Sequence, residues 1–484
     1  MASISQLLWT PKLKYSTKYF HGRPPFNKFR VRSIRTIDAS PTADLKITKN
    51  EPEFIFPAQP TPTETKPLSD LDNWYRGNAP LLFIYKRDAR MEGKDAADVI
   101  KQALTKALVY YYPLAGRLFS TIDVDGRSKL WVDCGGVSGG GALFVRAEAD
   151  IELEAVGDNI LPPNPCAKQL VCTQGEEKEG KEFESSAISG PLLHIQVTKF
   201  KCGGVVLGLV MHHSVADGYG IALFVATMGE LARGQNAPTI SPVWLRDQFM
   251  CARPNPQVRY VENQFRNIKD STNNLKSMIQ EIRETTPISI FLNSKDIQAL
   301  RDRHNLQSCT KFELVTAYLW KCRTLLRGSD PNDITRLSCV TSIRGTRIMK
   351  GLPRAYYGNS VFMPSSTCAV RDLVDNPLSD VVELVKKTKL KVRDPEYVRS
   401  FIDHIATKSS LVDLRLRFAV SDLSRLGAQR FDFGWGNPMN FVSAIVRSTM
   451  IFYQTYSKSD GGEDEMMITM RAPPGFEDEL KRIE

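Results

Sequence analysis

The feature that most constrains this chain is an apolar run that empties into a histidine-rich turn. Gly204-Val205-Val206-Leu207-Gly208-Leu209-Val210 reads as a buried strand, and Met211-His212-His213-Ser214-Val215-Ala216-Asp217-Gly218 follows it directly. Two of the six histidines therefore stand where the strand ends. A strand that opens into a Gly-terminated turn can present a base to a cavity, and a neutral imidazole is the best base near neutral pH. Adjacent residues leaving a strand point in opposite directions, so at most one of the two faces a given cavity. His213 is the expected base, because Asp217 follows it at the spacing of a tight turn; His212 is expected to be buried. Asp217 has two readings. It orients the imidazole as in a Ser-His-Asp triad, or it pairs with a cation and braces the turn. No GxSxG elbow lies nearby, which favours the brace. Gly218 allows close approach of a substrate or a positive φ. Against all this stands a bland alternative, a packed histidine with no chemistry, since short strings match by chance.

A second string, Asp432-Phe433-Gly434-Trp435-Gly436, lies more than two hundred residues downstream. Two glycines around a tryptophan make a tight corner with an aromatic anchor, so the expected role of Asp432, Gly434, Trp435 and Gly436 is structural.

At 484 residues the chain is too long for one core, and two domains are expected. Hydrophobic content of 42% and charged content of 24% suit a globular protein. No apolar run approaches the ~18 residues of a membrane helix. The net charge of +10 suggests nucleic acid until its distribution is read. Residues 1–37 hold eight Lys or Arg and no Asp or Glu; without them 56 basic residues face 54 acidic ones, a net charge of +2. The body is nearly neutral, and no nucleic-acid partner is expected. The tail is rich in Ser, Thr and basic residues, as transit peptides are, which suggests a plastid; the alternative is a disordered extension on a cytoplasmic protein. Nine cysteines are scattered without a CxxC and form no ligand-spaced cluster with histidine, so neither a disulfide framework nor a metal site is expected.

Along the chain, residues 1–42 form the tail, 43–234 the first domain, 235–263 a crossover rich in Pro, Gln and Asn, and 264–484 the second domain. Leu81 to Tyr85, 191–199 and 203–211 read as strands, and Asp95 to Val109 and Tyr219 to Leu231 as helices. Tyr112-Pro113-Leu114-Ala115-Gly116-Arg117 stops the first helix, and Gly175 to Ser186 is a mixed-charge loop. In the second half Ile288 to Leu292 alternates, Ser294 to Arg303 and Thr310 to Leu326 are helical, and strands are expected around 337–344, 415–421 and 444–454. Helices and strands in both halves point to an α/β fold of two facing layers.

His213-Ser214-Val215-Ala216-Asp217 and the Asp432 to Gly436 string resemble, in order and separation, the two signatures of the plant BAHD acyltransferases. Tyr112 to Arg117 and Tyr357-Gly358-Asn359 fit the same family. Pro60-Thr61-Pro62 leading to Leu68-Ser69-Asp70, then Cys202-Gly203-Gly204 and Pro242-Val243-Trp244, are similar to its benzoyl, taxane and alcohol acyltransferase branch. The resemblance runs from about Phe54 to the C-terminus.

It implies two chloramphenicol-acetyltransferase-like domains with a solvent channel between them. Acyl-CoA would enter as co-substrate from one face and an alcohol or amine acceptor from the other, with no permanently bound cofactor and a monomer as the simplest state. His213 would be the general base of a direct transfer without an acyl-enzyme. Asp217 would point away from the reaction and pair with Arg344, and the Asp432 to Gly436 loop would shape the CoA end of the channel. Ser421, in Val420-Ser421-Asp422-Leu423, matches a hydroxyl that could donate to the oxyanion; Leu423 departs from the family's tryptophan, and Tyr219 is a bulky departure beside the motif. Three competing functions are weaker. A condensation domain shares the first string, but no carrier or adenylation module adjoins it. A non-enzymatic binding protein would not need His213 and Asp217 intact, and a hydrolase finds no metal motif to support it.

Overall fold

The computed structural model describes residues 35–37, 45–123, 126–135, 140–172, 190–260, 279–407, 416–458 and 461–482. The basic stretch up to residue 34, the segment from Gly175 to Ser186 and residues 261–278 lie outside the described residues. One short strand, Arg35–Ile37, falls inside the stretch assigned to the tail.

The first half is built on β1 (Asn78–Tyr85), β2 (Ala142–Ala149), β3 (Leu193–Phe200) and β4 (Val205–His212). Their order is β1-β4-β3-β2, with β4 antiparallel to both neighbours. β4 lacks polar alternation because it is covered on both faces. Leu207, Leu209 and Met211 join one apolar cluster, and Val206 and Val210 join another. Gly208 is required within it, since a Cβ there would lie 2.0 Å from the Leu170 carbonyl oxygen. Two helices, α1 (Ala96–Tyr110) and α2 (Gly218–Ala232), pack on the first face through Ile100, Leu104, Leu108, Phe224 and Val225. Each starts at an aspartate whose carboxylate accepts a backbone N–H, Asp95 for α1 and Asp217 for α2.

The second half holds β5 (Thr286–Leu292), β6 (Ile334–Cys339), β7 (Arg417–Asp422), β8 (Asn440–Ser443), β9 (Ile451–Tyr456) and β10 (Glu465–Ala472). Helices α3 (Lys311–Leu326), α4 (Leu378–Leu390) and α5 (Pro395–Thr407) accompany them. α3 opens on a capping box between Thr310 and Glu313. One face of this sheet is apolar: Leu337, Phe418, Val420, Tyr453 and Ile468 pack against α3 and α4. The opposite face carries Arg336, Ser338, Ser421, Thr469 and Arg471, all buried although polar. It is turned toward the first half, where Ser289 on β5 donates to the Pro162 carbonyl.

The two halves share one sheet. β8 pairs antiparallel with β1 on one side and reaches β9 on the other. The chain thus re-enters the first half late, a crossing that no linear division captures. It also explains why the strand expected over 444–454 begins only at Ile451, after β8 has ended at Ser443. The backbone changes partners between Ser443 and Ile451, leaving β1 for β10 and β7. The strand expected over 337–344 is likewise interrupted at Val340, with Thr341–Ser342 pairing separately. No helix among the described residues is long and apolar enough to cross a membrane.

Candidate active site

β4 ends at His212, paired in register with Asn78, and α2 begins at Gly218. The five residues between them form the turn. His213 N–H donates to Gly77 O at 2.7 Å, Ser214 Oγ to Tyr75 O at 2.7 Å and Val215 N–H to His212 O at 3.0 Å. The His213 ring is half-buried and stacks on Tyr75, with centroids 5.1 Å apart and planes at 23°. His212, by contrast, is 5% exposed, as its position in the strand requires.

Burial lowers the His213 pKa below the usual imidazole value, as does the charge of Arg447; Asp217 acts against them. The imidazole is therefore neutral, the form a base needs. His212 is lowered to about 3, by burial and by the neighbouring His213 and Arg76.

Asp217 is 1% exposed, and both its oxygens are engaged away from the imidazole. Oδ1 accepts from Gly220 N–H at 3.0 Å. Oδ2 accepts from Arg344 Nη1 at 2.5 Å and from Ser360 N–H at 3.0 Å. His213 Nδ1 has no hydrogen-bond partner among the described residues. The geometry is a brace rather than a Ser-His-Asp relay. Arg344 also donates to the Gly358 carbonyl and sits 4.6 Å over the Tyr219 ring, so Tyr219 packs against the brace.

A second buried pair supports the same turn. Arg246 Nη1 lies 2.6 Å from Asp72 Oδ2, both side chains having no solvent exposure, and Arg246 Nη2 donates to Val215 O at 2.6 Å. Asp72 Oδ1 accepts from the N–H and Nδ2 of Asn359, whose Nδ2 also reaches His213 O at 2.8 Å. The sequence reading assigned no role to Asp72, Arg246 or Tyr75, and quoted Asn359 only as part of a string. A signal for Asp72 existed: Ser69 and Asp72 stand three apart, and they form the capping box of the helix Asp70–Trp74. Arg246 had none, since it lies in irregular chain.

Ser421 stands near the end of β7, beside Phe452 of β9 in parallel register, on the polar face of the sheet. The Asp432 to Gly436 string is a closed corner. Asp432 Oδ1 accepts from Gly434 and Gly436 N–H at 2.7 and 2.8 Å, and both glycines have positive φ. Phe433 and Trp435 pack on Tyr85, whose hydroxyl donates to Phe431 O at 2.7 Å. Tyr85 pairs with Val205, at the far end of β4 from His212. Seven residues of strand put this corner roughly 23 Å from the histidine end. A cavity of about 220 Å³ opens elsewhere again, beside Phe56, Tyr112 and Arg117, and contains none of these residues.

The Transferase family profile matches residues 45–472. Benzyl alcohol O-benzoyltransferase of Nicotiana tabacum is 36% identical over 452 residues, covering 91% of this chain and 93% of that protein. Alcohol acyl transferase 1 allele GSa of Malus domestica is 35% identical over 463 residues, covering 92% and 95%. Among solved structures, vinorine synthase superposes with a TM-score of 0.68 at 20% identity, covering 90% of this chain and 97% of that one. TRI101 of F. sporotrichioides, complexed with coenzyme A and T-2, superposes with a TM-score of 0.66 at 13% identity, covering 86% and 97%. These likenesses show a shared two-domain α/β fold. With the family profile spanning nearly all of the described chain and relatives above one-third identity over nine-tenths of it, the protein belongs to the transferase family of plant BAHD acyl-CoA-dependent acyltransferases, in the branch of benzoyl and alcohol acyltransferases.

Proposed function

We propose that this enzyme transfers an acyl group from an acyl-CoA thioester to the hydroxyl, or alternatively the amine, of a small plant metabolite, with His213 as general base. The benzoyl and alcohol acyltransferase relatives favour the hydroxyl. The acceptor O–H gives its proton to His213 as its oxygen attacks the thioester carbonyl carbon. A tetrahedral intermediate carries the negative charge on the former carbonyl oxygen, where the Ser421 hydroxyl is the proposed donor. The C–S bond then breaks, and the CoA thiolate recovers the proton from the imidazolium. Both substrates are present together, and no acyl-enzyme forms. Asp217 and Arg344 hold the turn, and the Asp432 to Gly436 corner belongs to the CoA end.

The observation that carries this reading is the division of labour in the turn. Asp217 spends both oxygens on Gly220, Arg344 and Ser360, which leaves His213 neutral, half-buried and free of a relay partner. The test is a screen of acyl-CoA donors against plant alcohols and amines, read by product mass. Acyl transfer abolished by His213→Ala supports the base; full turnover by that variant removes it. We propose further that the enzyme is a monomer and that the acid-free basic tail directs it to plastids. A fluorescent fusion of residues 1–42 that stays in the cytosol would reject the latter.

A further inference from the structure

The polar face of the second-half sheet and its rim hold two arginines, Arg417 and Arg447, that have no carboxylate partner among the described residues. In β7, Arg417, Ala419 and Ser421 alternate away from Phe418 and Val420, which belong to the apolar core. The parallel register sets Arg336 beside Arg417 and Ser338 beside Ala419. Arg417 and Arg447, together with Arg323 and Arg471, line a narrow crevice against Ala419 and Ile451. Arg323 is answered by Glu281, which it shares with Arg327. Arg471 donates to the backbone and hydroxyl of Thr285. Among the described residues the Arg417 side chain has only weak hydrogen-bond contacts, 3.4 Å to Ser338 Oγ and 3.9 Å to Met363 Sδ. Arg447 donates to the Asn78 carbonyl. Neither Arg417 nor Arg447 has a carboxylate partner among the described residues.

This crevice adjoins the base. Asn78, which holds Arg447, pairs with His212, and the Arg447 charge acts on His213. Arg417 and Tyr75 influence one another, and Tyr75 is the ring stacked on His213. Burial and the like charge of Arg336 bring the Arg417 pKa down to about 10. A guanidinium in that environment gains from any anion that reaches it.

We infer that Arg417 and Arg447 receive a carboxylate carried by one of the two substrates, on the acyl group or on the acceptor, and so select acidic over neutral partners. This rests on the acyl-transfer reading above. The phosphates of CoA are the competing anions. The pantetheine arm holds them its full length from the thioester carbon, whereas the crevice adjoins the ring that works beside that carbon.

The test uses the full chain and matched pairs. Malonyl-CoA is compared with acetyl-CoA as donor, and 4-(hydroxymethyl)benzoate with benzyl alcohol as acceptor. The wild type should favour the acidic member of one pair by about tenfold or more in kcat/KM, and that pair identifies which substrate carries the carboxylate. Arg417→Gln should erase the preference, mainly through KM, and Arg417→Lys should restore part of it. Unchanged thermal unfolding in both variants separates this from loss of structure. Turnover of neutral substrates with no preference in either pair would overturn the carboxylate site and leave acyl transfer standing. An Arg417→Gln variant with KM raised equally for every acyl-CoA would assign the arginines to the CoA phosphates instead, which also overturns it. No turnover with any pair would bring down both readings.

Discussion

Arg344 donates through Nη1 to Asp217 Oδ2 at 2.5 Å, joining the first half of the molecule to the second directly behind the histidine turn. The carboxylate also caps α2 through Gly220. Removing it strands a nearly buried guanidinium and uncaps a helix at once. Asp217→Ala is therefore expected to cost about 3–5 kcal/mol of stability. Turnover should fall with it. Denaturant unfolding beside initial rates checks this, and unchanged stability with lost activity would show that Asp217 orients the imidazole instead.

His213 separates chemistry from folding. Its backbone carries the hydrogen bonds to Gly77 and Asn359, so those survive truncation of the ring. His213→Ala is expected to lower kcat on the order of a hundredfold to ten-thousandfold, as loss of a general base does. The melting temperature should stay close to wild type, since the ring's main packing contact is the stack with Tyr75.

What the chain discloses before folding follows from how local each signal is. β4, α1 and α2 could be read because an apolar run, a 3.6 periodicity and capping aspartates are contiguous in sequence. The burial of His212 beside a less buried His213 needed only strand alternation. The second buried pair was invisible, because Asp72 and Arg246 are separated by more than 170 residues and meet only when the chain folds. α4 was legible in principle, with Leu378, Val381, Val382 and Val385 on one stripe. The break between β8 and β9 was not. Nothing in residues 444–450 announces that the chain changes partner there, which is a property of the sheet as a whole.

The two histidines predict distinct pH behaviours. His213 is held below its ordinary pKa by burial, so the acidic limb of kcat/KM should fall below pH 6.5. His212 bears on stability. Its folded pKa, about 3, lies below that of the unfolded chain, so the unfolded state takes up the proton first as pH falls. Its contribution is complete above the unfolded value of about 6.5 and is lost progressively toward the folded one. Unfolding midpoints from pH 7 to pH 5 should therefore decline more steeply in the wild type than in His212→Gln. Parallel declines would show that other groups dominate.

Gly434 tests the aromatic corner. Its φ is +113°, and a Cβ there would lie 2.6 Å from Met91 Sδ. Gly434→Ala combines backbone strain with a clash, and a cost of about 1–3 kcal/mol is expected. Because the corner packs on Tyr85, at the Val205 end of β4, the variant should raise KM for acyl-CoA more than it lowers kcat. Steady-state kinetics with varied acyl-CoA measure the split, and a pure kcat defect would place the corner in the chemistry.

The tail has a boundary that truncation can locate. Arg35–Ile37 adds a strand to β5, pairing Arg35 with Phe291, Thr36 with Ile290 and Ile37 with Ser289. The Arg35 guanidinium lies 3.7 Å over the Phe291 ring and bonds to Asp158 and Glu465. A chain beginning at residue 35 keeps these contacts, and one beginning at residue 38 loses them all. Arg35 is partly exposed, so solvent screens its ion pairs and the loss should be modest, about 1 kcal/mol. Removal of residues 1–34 should leave melting and turnover as in the full chain. Removal of residues 1–37 should lower the melting temperature while leaving kcat unchanged, because β5 lies three strands from β8 and on the far side of it from β4. If both truncations melt alike, the Arg35–Ile37 strand adds nothing to stability.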